Sequence, residues 1–322
     1  MAAYDLKQML AYLNAHPVVP GTQFDLPSRY CAPGVWVTLA ALASKHGLLF
    51  AQLSFKNAGS KEYAKAIKLE QVLSTDGTDS YEHERKNAGL NYSPITALNC
   101  PELVDVANSA ICGCLRRLGD ADAPGMQDLC KVVGELHDNV WSHGKDTGFS
   151  MAQKVKVGDD YYIEFALADT GMGLKQEMER ARRRVDSHQA AIEWCFQEGH
   201  STKLADDDDD WAQALPADHI GSSPFGPNIA TKEAEGNHHQ GLGLAKLMKL
   251  VRGYGGRLIF ATGDSVLTVK EDGKELYSRL QREWKGVAIS CRLRASALAK
   301  GANGAEDGPE LDYIMQRLKG GG

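Results

Sequence analysis

Apolar and polar positions along the chain alternate between two periods, and the period sets the expected elements. "MAAYDLKQMLAYLNAH" and "PGVWVTLAALASKHG" carry the three-to-four-residue spacing of amphipathic helices, the second closing on a glycine. The short apolar run "LLFAQLSF" (48 to 55) predicts a strand. "SKEYAKAIKLEQVL" begins a stretch that is helical at first and turn-rich later, and "CPELVDVANSAICGCLRRLGD" (100 to 120) predicts another helix. Asp, Pro and Gly in "DADAPG" (120 to 125) mark a connection, and a domain boundary is expected there.

Beyond that connection a helix is expected over about 126 to 143, ending at Gly144. "YYIEFALAD" (161 to 169) reads as a largely buried strand, and a charged, helix-prone stretch runs from Leu174 to about Gln197. Residues 199 to 240 read as a long irregular loop. A helix follows in "GLGLAKLMKLVRGYGG", then antiparallel strands in "RLIFAT", "SVLTVKE" and "GVAISCRLR". The glycine-rich end predicts a tail with one short helical piece.

Composition changes this picture little. The 322 residues suffice for two cores, and 43% hydrophobic with 24% charged residues is ordinary for a globular chain. A net charge of -6 argues against a general nucleic-acid binder, and "RARRR" (Arg180 to Arg184) reads as a solvated helix face. Seven cysteines with no C-x-x-C spacing suggest neither a disulfide framework nor a zinc ribbon. "CGC" (112 to 114) reads as two core cysteines on a helix turn. With no signal segment and no long apolar run, the expected location is cytoplasmic, away from any membrane.

The chemistry is concentrated in four short stretches. In "GELHDNVWSHG" (134 to 144), Glu135, Asn139 and His143 stand at i, i+4 and i+8, one stripe of a helix. Asn139 could lend an amide oxygen to Mg²⁺, Glu135 could orient or deprotonate a water, and His143 could reach phosphate oxygens. A polar helix face in solvent would look the same. "DTGMG" (169 to 173) ends a strand on Asp169 and follows it with Gly171 and Gly173, so a fixed carboxylate stands beside backbone that a ligand can approach. By itself that is also an ordinary Asp-Gly turn. "GHSTK" (199 to 203) contributes Ser201, Thr202 and Lys203. "GLGL" puts Gly241, Leu242, Gly243 and Leu244 at the opening of a helix, where unpaired N–H groups suit phosphates. Neither a Walker-type phosphate loop nor a dinucleotide G-x-G-x-x-G after a strand occurs.

In their order along the chain, these boxes resemble those of the GHKL ATPase superfamily, which includes DNA gyrase B, Hsp90, sensor histidine kinases and MutL. "ELHDN" resembles the N-box, and "NVWSHG" is similar to its form in anti-sigma factor serine kinases. "DTGMG" resembles the adenine-binding DxGxG box, "GHSTK" a lid sequence and "GLGL" the second glycine box.

The resemblance spans about 126 to 294. It implies an α/β (α+β) chain whose rear part, 123–296, is a Bergerat-type two-layer sandwich with a long lid at about 174–240. A tail at 297–322 would follow it. It implies ATP and Mg²⁺ as cofactors, with Asn139 on the metal and Glu135 on it through water. Asp169 would hold adenine. Gly171, Gly173, Gly241, Leu242, Gly243 and Leu244 would surround the nucleotide, with Ser201, Thr202, Lys203 and His143 at the phosphates. Residues 1–122 are expected to form a regulatory or partner-binding α/β domain whose pattern resembles a STAS-like module.

Three uses of ATP stay open: slow hydrolysis driving a lid or dimer switch, phosphorylation of a partner's serine, and sensing without turnover. A protein partner is expected at the front domain or at the acidic run Asp206 to Asp210, and a homodimer on nucleotide binding. "YEHER" around His83 lies too near Glu135 for a sensor-kinase phosphoacceptor hairpin, so His83 reads as a surface histidine.

Overall fold

The computed structural model describes residues 3–140, 147–197 and 243–300. The chain is a mixed α/β structure built on one antiparallel sheet. Five strands lie in the order β3 (Thr96–Leu98), β4 (Gly148–Val157), β5 (Asp160–Asp169), β7 (Glu275–Arg294) and β6 (Arg257–Val269). Every pairing in it is antiparallel. β5 is central, and its alternation decides the two cores. Ile163, Phe165 and Leu167 point to one face and Ala166 and Ala168 to the other.

The face of large side chains receives α5 (Pro101–Leu118), α6 (Pro124–Asn139), α7 (Leu174–Arg180), α8 (His188–Cys195), α9 (Gly243–Gly253) and α10 (Ala295–Lys300). The opposite face is covered by α1 (Leu6–Ala15), α2 (Pro33–His46), α3 (Ala58–Ala66) and α4 (Leu69–Val72). Asp5 caps α1 by accepting from the Gln8 N–H at 2.9 Å, and α2 starts on Pro33 and stops at left-handed Gly47.

Residues 3–122 therefore share the sheet with the rest of the chain: β3 pairs with β4, α5 packs on α6, and α2 lies across β4 and β5. Their only other pairing between named strands joins β1 (Phe24–Asp25) and β2 (Leu53–Ser54), two residues each. The strand expected at 48 to 55 is instead one 3₁₀ turn, Phe50–Gln52, running into β2. Phe50 and Leu53 are buried three residues apart while Leu49 is 45% exposed, a spacing that a 3₁₀ turn satisfies and a strand does not. The three rear strands expected are two: "RLIFAT" and "SVLTV" are one strand, β6, with register shifts around Gly263. Among the described residues no helix is long and apolar enough to cross a membrane.

His137 of α6 is fully buried against Phe165, its Nδ1 2.7 Å from the Asn108 carboxamide oxygen of α5. That oxygen only accepts, so the ring proton sits on Nδ1 and Nε2 is left bare. Burial pushes the ring's pKa from 6.5 down to about 3. Between these values the unfolded chain takes up a proton that the native ring refuses. The contribution to stability is therefore complete above pH 6.5 and declines as the pH falls, by up to about 1.4 kcal/mol per pH unit. Urea unfolding at pH 7 and pH 5 should show this decline in the wild type and a shallower one in His137→Gln. Equal slopes would mean that the ring is not buried in its neutral form.

Candidate functional site

Three of the four boxes have residues in the described structure, and these meet at one end of the sheet. Helix α6 starts on Pro124 and buries Met126, Leu129, Val133 and Leu136 in the core. That leaves Glu135 and Asn139 on a stripe facing α9. Gly243 opens the described part of α9 against them. A Cβ on Gly243 would lie 3.2 Å from the Glu135 Cβ and 3.4 Å from the Asn139 Nδ2, so only a glycine allows this approach without displacement. Glu135 is 8% exposed. Lys246, one turn along α9, forms an ion pair with its Oε1, whereas Oε2 is buried with no hydrogen-bond partner among the described residues.

The second part adjoins the first through Gly148. A Cβ there would stand 2.6 Å from the Val140 Cγ1, just past Asn139, and 3.3 Å from the Asp169 Cβ. Asp169 ends β5 at 5% exposure. Its Oδ1 accepts from the Gly171 N–H at 2.9 Å and its Oδ2 from the Val287 N–H at 3.2 Å.

Gly173 caps α7 at φ +75°, and Thr262 of β6 fills the space beside it. The Thr262 hydroxyl donates to the Gly286 carbonyl at 2.8 Å and accepts from the Leu174 N–H at 3.3 Å. A cleft of about 320 Å³ opens here, lined by Gly171, Met172, Lys175, His188, Thr262 and Trp284. From the opposite layer, the Lys45 ammonium of α2 donates to the Thr170 carbonyl at 2.7 Å, which ties the front helices to the "DTGMG" turn.

The structure thus brings together Glu135, Asn139, Gly243, Asp169, Gly171 and Gly173. Leu244 is 9% exposed with its side chain in the core, so only its backbone could meet a ligand. His143, Ser201, Thr202, Lys203, Gly241, Leu242 and the aspartates 206 to 210 lie outside the described residues. Among the described residues no three His, Cys, Asp or Glu side chains gather as a metal-binding group. An expected Mg²⁺ would have Asn139 directly and Glu135 only through a water, the rest of its shell coming from water and phosphate. His83 is exposed, its ring edge-on to Tyr81.

Lys246, Thr262 and Gly286 were not singled out by the sequence. Gly286 alone had a local signal, a glycine beside a strand pattern, which marks close backbone approach. It sits at φ +94°, and a Cβ there would come within 2.4 Å of the Asp169 Oδ1. Gly286→Ala should therefore cost about 2 kcal/mol or more in unfolding free energy and displace Asp169. Chemical denaturation checks the first effect, and an unchanged midpoint would show that the turn relaxes freely.

Compared with models of known protein families, with curated proteins and with solved structures, the chain matches none.

Proposed function

We propose that this chain is a Mg²⁺-dependent ATP-binding protein of the GHKL type, with a Bergerat-like site, that hydrolyses ATP slowly to drive a conformational switch. The observation that carries this reading is the convergence of boxes far apart in sequence. Gly243 abuts Glu135 and Asn139, and Gly148 joins that end of α6 to Asp169.

On this reading the Asp169 carboxylate accepts a hydrogen bond from the exocyclic amine of adenine. The first N–H groups of α9, together with the helix dipole, receive phosphate oxygens. Asn139 offers its amide oxygen to Mg²⁺, whose contribution is to offset phosphate charge. Glu135 acts as general base: a water attacking the terminal phosphorus gives its proton to Oε2 as the bond to the bridging oxygen breaks and ADP leaves, while Lys246 holds Oε1. Ser201, Thr202, Lys203 and His143 are proposed to close over the phosphates. The front helices, tied to the site through Lys45, are proposed to meet a protein partner or a second copy of the chain.

The contact between Lys246 and Glu135 favours one second reading, an ATP sensor without turnover. An ammonium on the carboxylate would keep it from serving as a base.

Phosphate release from Mg·ATP, measured beside equilibrium nucleotide binding, tests both. Glu135→Ala should lose about 100-fold or more of turnover with binding retained, and Asp169→Asn should weaken binding by about tenfold or more. Binding without turnover in the wild type would leave the sensor. Phosphate found on a protein serine would make the chain a kinase. No nucleotide binding would end all three uses.

A further inference from the structure

We propose that Cys112 and Cys130 form a dithiol that hydrogen peroxide converts to a disulfide, tying α5 to α6. Cys112 belongs to the "CGC" stretch, yet it faces away from Cys114, which is buried in the core. Its partner comes from the next helix. The Cys112 Sγ lies 3.6 Å from the Cys130 carbonyl oxygen, and the Cys130 Sγ lies 3.9 Å from the Cys112 carbonyl oxygen. Each sulfur therefore rests against the other residue's backbone, so the two side chains lie side by side where the helices cross.

Gly134 of α6, one turn past Cys130, faces Asn108 of α5, one turn before Cys112, with 4.0 Å between a Cβ built on the glycine and the Asn108 Oδ1. Further along the same contact the Asn108 carboxamide holds His137.

The two thiols are unequal. Contact between the two sulfurs pushes the Cys112 thiol up and the Cys130 thiol down, and the Arg116 guanidinium, hydrogen-bonded to the Cys130 sulfur, favours the thiolate there. Cys130 is thus the nucleophile. Cys112 is partly exposed and Cys130 is 8% exposed, so a small oxidant suits the pair better than a bulky disulfide such as oxidised glutathione.

In the first step the Cys130 thiolate attacks one oxygen of peroxide, and the O–O bond breaks. Hydroxide leaves and takes up a proton to become water, and Cys130 is a sulfenic acid. In the second, the Cys112 sulfur attacks the Cys130 sulfur and the S–O bond breaks. The departing hydroxide takes the Cys112 proton as a second water. The two thiols lose two electrons and peroxide gains them. The bridge closes the turn between the helices and sits just over one helical turn before Glu135, so it fixes the helix that carries the candidate site.

The test uses the full reduced chain, treated with stoichiometric hydrogen peroxide, denatured, alkylated with iodoacetamide and mapped by mass spectrometry. We expect a mass lower by two hydrogens, alkylation of all but two of the seven cysteines, and a linked peptide pair holding Cys112 and Cys130. Dithiothreitol should restore full alkylation. In Cys112→Ser the bridge should be lost and dimedone should trap a sulfenic acid on Cys130. Full alkylation after peroxide, a sulfinic acid on Cys130 without a link, or a bridge between another pair would each overturn the proposal.

Discussion

A central strand that must bury both of its faces dictates this architecture. β5 presents Ile163, Phe165 and Leu167 to one layer of helices and Ala166 and Ala168 to the other. The second face is shallow, so α2 can come down on it only with small residues of its own. Gly34 meets that demand, since a Cβ on it would lie 3.1 Å from the Ser290 Cβ of β7. One charge is committed inside this close contact. Glu164, 1% exposed, accepts from the Ser290 hydroxyl at 2.8 Å and from the Arg292 guanidinium at 2.7 and 3.0 Å. Burying a carboxylate is tolerable only with such partners, and both come from β7, the neighbouring strand. Asp5, at the head of α1, receives Arg257 of β6 at 2.7 Å, so the first helix is seated by charge as well as by packing.

These contacts fix strand register, and register builds the site. With Glu164 opposite Arg292, Ala168 falls opposite Ala288, and Asp169 reaches Gly286 and Val287 of β7. On the other side Asp169 pairs with Gly148, which presses on Val140 at the end of α6. A slip of one residue in either pairing would turn Asp169 to the opposite face and break the adjacency. The candidate site is therefore a consequence of how the sheet is buried, and the front helices are part of that burial.

Much of the architecture was legible in the sequence because it is written locally. Helices α1, α2 and α5 announce themselves by periodicity and by their caps, and β5 by its apolar run into Asp169. The misses have a common cause. β4 buries its first six residues and exposes its last two, so neither a clean alternation nor a continuous apolar run marks it. β6 is interrupted by Gly263, and the outer half of β7, "ELYSRLQREWK", has the polarity of a loop. Within the site, Glu135, Asn139, Asp169, Gly173 and Gly243 sit in short-range patterns. Thr262 and Lys246 are chemically ordinary in their own segments. Only the antiparallel order that lays β6 and α9 beside β7 and α6 gives them a role.

Lys246 has the most consequential of these roles. A carboxylate buried to the extent of Glu135 needs a counter-charge, and among the described residues Lys246 alone forms an ion pair with it. The lysine side chain is 48% exposed, so its ammonium holds the carboxylate from the solvent side without being sealed in. The second oxygen faces Gly243 and the start of α9, where the helix dipole already favours negative charge. An anion received at that helix start would bring its charge close to Glu135, and the repulsion between the two would rise steeply in a site with little water. Lys246 stands on the same helix, one turn in from the backbone that would face phosphate on the proposed reading, and is placed to offset both charges. The ion pair is thus a way to hold a buried acid beside an anion site on the proposed reading, and it explains how Glu135 can occupy that position with one oxygen unbonded among the described residues.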